Sequence, residues 1–194
     1  DHNIAVVLPS GENSFYVDQK ESHKYYGEFI GRELVEMTRN IFPLSHKKED
    51  TYLAGFSMGG YGAIRNGLKY HDTFGYIGAI SAALLIDDLH NWGEGDDLLS
   101  SRSFAQSCFG DLNKVIGSDM DPKFLIDDLI DKGIEIPKIF MAVGDNDFLY
   151  DENIDYYNYL KSRNVDVEFR CSSGEHTWEF CNDYIKEFIE WLPL

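Results

Sequence analysis

An α/β fold, with a mostly parallel sheet and helices on both faces, is what this chain of 194 residues predicts. Three observations carry that prediction. Short β-rich runs alternate along the chain with amphipathic helical patterns. Most of those runs are nearly continuous in apolar residues, as strands covered on both faces are. A glycine-flanked serine stands where one run gives way to the next helical pattern, the tight turn on which parallel sheets can mount a nucleophile.

The β-rich runs lie at residues 4–9, 51–56, 76–81, 138–144 and 165–172. Between them, residues 25–42 carry Phe29, Ile30, Leu34, Met37 and Ile41 at helical spacing. Residues 60–70 form a short helical stretch rich in small side chains. Residues 153–163 place Ile154, Tyr157 and Leu160 on one face, and residues 181–192 repeat Tyr184, Ile185, Phe188, Ile189 and Leu192. The alternation breaks between residues 84 and 137, an acidic, irregular insertion holding Trp92, Phe104, Phe109 and Phe124, with its clearest helix at 122–132. An insertion between core strands lies over the strand ends, where ligands bind, so a small cap is expected there. Its most acidic stretch, residues 94–97, reads as a solvated loop. Neither internal repeats nor low-complexity linkers divide the chain, so residues 1–194 are expected to form one domain.

Hydrophobic residues make up 43% and charged residues 26%, a balance that argues against disorder and against a membrane bundle. Seventeen Lys and Arg against 34 Asp and Glu leave a formal charge of −17. That field repels phosphate backbones and anionic lipid, which argues against nucleic acid and membrane surfaces as partners. The longest apolar stretch, residues 77–86, is about half of what a bilayer span needs. Cys108, Cys171 and Cys181 form no Cys-x-x-Cys pair and cannot all pair within one chain. They read as mostly buried free thiols of a reducing compartment, which points to the cytoplasm unless a leader has been removed before Asp1.

The sharpest signal is Gly55-Phe56-Ser57-Met58-Gly59-Gly60. A Gly-x-Ser-x-Gly match alone is weak, because chance supplies one in roughly one chain in twenty of this size. Its setting makes it strong: a buried-strand run ends at Phe56, and Gly60-Tyr61-Gly62-Ala63 opens a helix with small residues. A serine forced into this turn takes strained backbone angles, and flanking glycines relieve the crowding. The backbone amide of Met58 then lies at a helix N-terminus, where it can point at a developing oxyanion.

A serine hydroxyl needs a base, and the base needs an orienting acid. In this architecture they follow in the order serine, acid, histidine. His176, in the loop before the last helix, is the one late histidine. The preceding strand runs into Asp145-Asn146-Asp147-Phe148, which offers Asp145 and Asp147, and spacing does not choose between them. Metal-ligand spacings, Gly-x-Gly-x-x-Gly and a phosphate-binding Gly-Lys-Ser/Thr are absent from the sequence, so a mechanism without metal or cofactor is expected.

These residues resemble the esterase-D-like branch of the α/β-hydrolases, and within it the tributyrin and cinnamoyl (feruloyl) esterases. The resemblance is carried by Val6-Val7-Leu8-Pro9 with Ser14-Phe15-Tyr16-Val17-Asp18, by Phe42-Pro43 with residues 47–50, and by Ala54 through Ala63. It continues in Gly144-Asp145-Asn146-Asp147-Phe148-Leu149-Tyr150 and in Gly174-Glu175-His176-Thr177-Trp178-Glu179-Phe180. It implies Ser57 as nucleophile, Asp147 as acid, His176 as base and the Met58 backbone as one oxyanion donor. The chain departs from the pattern in three places, the least of them Ser81-Ala82-Ala83-Leu84, where the family often has Gly at the second position. The match begins at the family's fourth strand, so the N-terminal strands are missing from this sequence and further residues are expected upstream. The family's third strand, which lies between the 4–9 and 51–56 strands, is among those missing. The His-Gly pair that supplies the family's second oxyanion amide is also absent, and losing such a donor costs about 3 kcal/mol of transition-state stabilisation.

The expected activity is that of a serine carboxylic ester hydrolase for short-chain acyl or hydroxycinnamoyl esters. Its partners would be neutral small-molecule esters, acylated sugars among them, and a homo-oligomer is compatible with the sequence. Tyr16, Phe148 and Trp178 are candidates to line the substrate pocket, and Trp92 is a further stacking candidate. An acyltransferase on the same scaffold is a second reading, because the acyl-enzyme step is shared. A truncated, non-catalytic hydrolase domain is a third, resting on the absent His-Gly pair.

Overall fold

The computed structural model describes residues 3–93 and 101–194; the acidic stretch 94–97 lies outside them. A small antiparallel pair comes first, β1 (Asp18–Gln19) with β2 (Lys24–Tyr25). The main sheet holds β3 (Tyr52–Phe56), β4 (Tyr76–Ile80), β5 (Lys138–Gly144) and β6 (Val167–Ser172), in that spatial order and all parallel. Leu53 pairs with Ile77, Ile77 with Ile139, and Ile139 with Val167. The strands are thus in step, and their carboxyl ends open on one common edge, where ligand sites of α/β sheets form. The predicted α/β class is the fold observed.

The helices are α1 (Tyr26–Glu28), α2 (Leu34–Ile41), α3 (Met58–Lys69), α4 (Arg102–Phe109), α5 (Pro122–Asp131), α6 (Tyr150–Ser162) and α7 (Trp178–Trp191). Strand alternation sorts them onto the two faces. Ile77, Ala79, Ile139 and Met141 pack with Ala63, Ile64 and Leu68 of α3, Ile126 and Leu129 of α5, and Tyr156 and Leu160 of α6. Ile80, Phe140 and Ala142 meet Phe180, Tyr184 and Phe188 of α7 on the other side. Residues 139 to 143 are therefore covered from both faces, each at most 1% exposed, which is what their unbroken apolar run predicts. Fully burying an Ile or Phe contributes about 1.5–3 kcal/mol, so this strand is the mechanical centre of the molecule. A third cluster gathers Phe15, Tyr61, Leu89, Phe109 and Leu112 beneath the insertion, with Trp92 and Phe104 packed against it. Within the insertion, Ser101 caps α4, and Asp121 caps α5 with Pro122 at its first turn. Among the described residues no helix is long and apolar enough to cross a membrane.

Four expectations need correction. Residues 4–9 form no strand and are mostly exposed, with Val6 at 69% and Leu8 at 90%. A strand requires a neighbour's backbone to complete its hydrogen bonds, and no described strand lies between this run and β3. The helix expected over 25–42 is interrupted by a π-helical turn, Phe29–Glu33. That turn shifts the helical phase, and Met37 and Ile41 of α2 face outward. The last run pairs only from Val167, and as an edge strand it carries Glu168 and Arg170 and is not covered on both faces. The cysteines are all free, but only Cys108 is buried; Cys171 is exposed and Cys181 half-buried.

Candidate active site

The site is built where the carboxyl ends of β3 and β5 open. At the end of β3 the chain turns directly into α3, and Ser57 occupies the corner with φ 57° and ψ −118°. A non-glycine residue in such a conformation costs about 1–3 kcal/mol and persists only where its surroundings hold it. Here they do. The Ser57 N–H donates to the Ile80 carbonyl at 3.0 Å, and its carbonyl accepts from Ala83 N at 3.0 Å and Tyr61 N at 3.1 Å. Gly55 is required because a Cβ there would stand 2.2 Å from the Gly59 carbonyl oxygen. Gly59 itself has open space around it, so of the two flanking glycines only the first answers to crowding. Met58 is the first residue of α3, so its amide belongs to the unsatisfied N–H groups of a helix start.

The acid turn and the histidine loop are stitched together by backbone. Asn146 N donates to the Gly174 carbonyl and Asp145 N to the Ser172 carbonyl, both at 2.9 Å. A Cβ on Gly144 would come within 2.3 Å of the Gly174 oxygen, so the two loops approach as closely as glycine permits. Of the two carboxylates that spacing leaves open, Asp145 is exposed and accepts from the Gly174 amide at 3.1 Å. Asp147 is only 5% exposed, and it is the one that faces the histidine. The His176 ring meets the Asp147 carboxylate through Nδ1, at 3.0 Å from Oδ1 and 2.9 Å from Oδ2. Leu149 N donates to the same carboxylate at 2.8 Å. With Nδ1–H donated to Asp147, Nε2 is left as the working nitrogen.

Two aromatic rings pack on this imidazole, and a third leans on one of them. Phe56, the residue before Ser57, stacks on it at 4.5 Å between centroids and 27° between planes. Phe148 approaches at 4.5 Å, and Trp178 leans on Phe56 at 5.3 Å. Phe56 thus ties the serine corner to the histidine loop. Ser57 Oγ and His176 are not hydrogen-bonded among the described residues, and such contacts often tighten only when substrate binds. Tyr16 sets its ring against Gly62 on the second turn of α3 and against Gly11. Its backbone is left-handed at φ 55° and its carbonyl accepts from the Asn66 side chain at 3.0 Å. Trp92 packs into the cluster under the insertion. Among the described residues no three His, Cys, Asp or Glu side chains converge as metal ligands would.

Several residues around the site escape sequence reasoning. Arg65 is completely buried; its guanidinium binds the Asp119 carboxylate and the Asp119 carbonyl, both at 2.8 Å, and the Asn66 side chain at 2.7 Å. Lys69 bridges Asp18 at 3.0 Å and Asp119 at 2.5 Å. This network bolts α3 to the insertion and to the segment that ends at β1. Burial alone would raise the Asp119 carboxyl, but Arg65 and Lys69 together outweigh it and hold the carboxyl below its ordinary range. Asn153 of α6 locks Ala82 by accepting from its N–H and donating to its carbonyl. Ser81, fully buried at φ 43°, leaves its hydroxyl unpartnered just beyond β4. These contacts join residues tens of positions apart, so no local spacing announces them.

A parallel sheet carrying a strained serine at a strand-to-helix corner, beside a histidine held by a buried carboxylate, defines an α/β-type hydrolase. Comparison with known proteins agrees. The model of the Esterase family matches residues 1–190. An acetyl esterase of Caldicellulosiruptor saccharolyticus is 46% identical over 192 residues, covering 98% of this chain and 72% of that protein. The substrate-bound structure of the fluorophosphonate-binding serine hydrolase FphF of Staphylococcus aureus superposes with a TM-score of 0.82. It is 33% identical and matches 95% of this chain and 69% of that one. An S-formylglutathione hydrolase, FrmB of the same organism, gives a TM-score of 0.77 at 32% identity over 93% of this chain and 68% of that one. The chain belongs to the Esterase family, and it is a serine carboxylic ester hydrolase.

Proposed function

We propose that the chain hydrolyses neutral esters of short acyl groups, acetyl foremost, with hydroxycinnamoyl esters within reach, through an acyl-enzyme on Ser57. The single observation that carries this is the Nδ1 contact of His176 with both oxygens of the buried Asp147 carboxylate, beside the strained Ser57 corner. The 46% identity to an acetyl esterase supports the acyl preference. In the first half-reaction Ser57 Oγ attacks the ester carbonyl carbon and its proton passes to His176 Nε2. The carbonyl oxygen becomes an oxyanion facing the Met58 amide, where the start of α3 favours negative charge. Collapse breaks the bond to the alcohol oxygen, which takes the proton from Nε2. Water then attacks the acyl carbon, gives its proton to Nε2, and the acid leaves as Ser57 recovers that proton. Asp147 stays ionised throughout, fixing the tautomer and stabilising the imidazolium. Phe148 and Trp178 wall the entrance beside His176, while Tyr16 shapes the site through Gly62 and Asn66. The formal charge of −17 favours neutral substrates over anionic ones.

The test is turnover of p-nitrophenyl esters from acetate to octanoate, together with methyl ferulate, by the native chain and by Ser57→Ala. Expected is fastest turnover with acetate and loss of activity in the variant by about 10⁴-fold or more. Equal rates in the two proteins would remove Ser57 from the mechanism, and a preference for long chains would overturn the acyl assignment.

A further inference from the structure

The ring that stacks most squarely on the imidazole belongs to the serine's own strand. Phe56 closes β3 in register with Ile80 of β4, which pairs in turn with Ala142 of β5. Residues in register share a face of a parallel sheet. Ile80 and Ala142 pack under α7, and Phe56 packs against the same cluster. His176 stands two residues before α7 begins, so its loop arrives over that face. The phenyl at the strand end and the incoming imidazole meet with centroids 4.5 Å apart and planes 27° apart. Trp178, the first residue of α7, leans on the Phe56 ring at 5.3 Å. Phe148 is the other ring on the imidazole, at 4.5 Å but tilted by 46°.

Packing accounts for where the Phe56 ring lies, but a charge develops on its neighbour. The imidazole takes the Ser57 proton on Nε2 and is positive until it hands that proton on. In the ring plane, Nδ1–H points to Asp147, with Oδ2 at 2.9 Å, so the carboxylate answers the charge at that edge. The ring faces are the other direction from which the charge can be met. A phenyl face is negative, and a cation within about 6 Å of its centroid is attracted to it, most strongly where water is excluded. The His176 side chain is only 16% exposed, and Phe56 is half-buried. A neutral imidazole gains little beyond dispersion from the same contact. The attraction therefore grows as the proton moves, which is the condition for lowering a barrier.

We infer that Phe56 is a positioning residue that sets the plane of the His176 ring and, through its own ring face, stabilises the imidazolium formed during turnover. This rests on the reading of Ser57, His176 and Asp147 given above, and deepens it. The positive charge appears twice: when Ser57 Oγ gives its proton to Nε2 in acylation, and when water gives its proton to Nε2 in deacylation. Both steps therefore feel the ring. Substrate binding precedes either charge and does not. Phe148 acts in the same sense but more weakly, because it is tilted and, at 73% exposed, screened by water.

The experiment places one, two or three fluorines on the Phe56 ring of the full chain, and adds Phe56→Leu and Phe56→Tyr. Fluorine withdraws π density while nearly keeping the ring's size, so it separates charge stabilisation from packing. With p-nitrophenyl acetate, the burst reports acylation and the steady state reports deacylation. Both rate constants are expected to fall stepwise with each fluorine, by about tenfold in all. KM should stay within about twofold, because the two steps fall together. Phe56→Leu should be as slow as the ring with three fluorines, and Phe56→Tyr should restore most of the rate. The same fluorine series at Phe148 should give a shallower slope. A flat series at Phe56, a loss carried by KM alone, or a fall in only one of the two steps would each overturn the inference. A flat series beside a slow Phe56→Leu would overturn it too, by showing a ring that only packs. The catalytic reading fails separately, if Ser57→Ala retains hydrolysis; an inactive Ser57→Ala with a flat fluorine series sinks only the role of Phe56.

Discussion

Two apolar runs of this chain look alike in sequence and end up opposite in structure. Residues 139 to 143 lie in β5, hydrogen-bonded to a strand on each side, covered on both faces and at most 1% exposed. Val6, Val7 and Leu8 form no strand and are 69%, 45% and 90% exposed. Both runs are apolar; what differs is neighbours. β5 has β4 and β6 to complete its backbone hydrogen bonds and α6 and α7 to cover it, whereas β3 presents a free edge that residues 4–9 do not join. Apolar character makes a strand affordable, but pairing makes it real. The same contrast explains where chemistry sits. Asp147 hangs from the doubly supported β5 and His176 from the loop after the edge strand β6 beside it, while Ser57 stands on the other edge strand, tied in by the β4 backbone.

If paired strands hold the site and the unpaired run takes no part in it, substitutions should separate sharply. The largest effect is expected from Asp147→Asn. The ring keeps its place but loses its tautomer and its charge partner, so kcat should fall by roughly 10⁴-fold with the circular dichroism unchanged. A loss below about tenfold would mean that the buried carboxylate does not orient the histidine. Next comes Gly144→Ala. The added methyl meets the Gly174 oxygen at 2.3 Å, so the acid turn and the histidine loop must part. A displacement of about 1 Å at this point is expected to cost on the order of a hundredfold in kcat/KM, measurable with p-nitrophenyl acetate. The third test sets the two runs against each other by denaturant unfolding. Ile139→Ala should lose about 2–5 kcal/mol, and Val7→Ala should stay within about 0.5 kcal/mol. Similar losses at both positions would erase the comparison.

The smallest effect concerns the network between α3 and the insertion. Asp119 has a carboxyl held low in the folded chain by Arg65 and Lys69 against the effect of burial. Because its folded value lies below its unfolded one, it stabilises above about pH 4, and that contribution is lost as pH falls through the folded value. Asp119→Asn should therefore lower Tm by a few degrees at pH 7, and the two melting curves should converge as the carboxylate is protonated in acid. The side chain is 44% exposed, so salt should also narrow the gap. A pH-independent difference would point to packing and not to charge.

How much of this was legible in the residues varies with how local the cause is. The elbow around Ser57 can be read because its cause is the crowding between Gly55 and Gly59, four residues apart. The α/β class follows from runs and helical patterns of ordinary length, and α3, α5, α6 and α7 fall within a few residues of their expected bounds. Choosing Asp147 over Asp145 is different. Both occupy one turn, and only the approach of the His176 loop from 29 residues away distinguishes the buried carboxylate from the exposed one. The π turn at Phe29–Glu33 inserts a phase shift that a helical pattern over 25–42 conceals. The Arg65 network and the clamp of Asn153 on Ala82 lie further out of reach, because their partners are 54 and 71 residues away.

The most direct test of the central claim is the intact mass of the chain after exposure to a fluorophosphonate. An activated serine displaces fluoride, forms one Ser57 Oγ–phosphorus bond and passes its proton to His176. The native chain should gain a single phosphonyl group, mapped to Ser57, while Ser57→Ala gains none and His176→Ala reacts far more slowly. An unmodified native chain, or an adduct that persists in Ser57→Ala, would contradict the account.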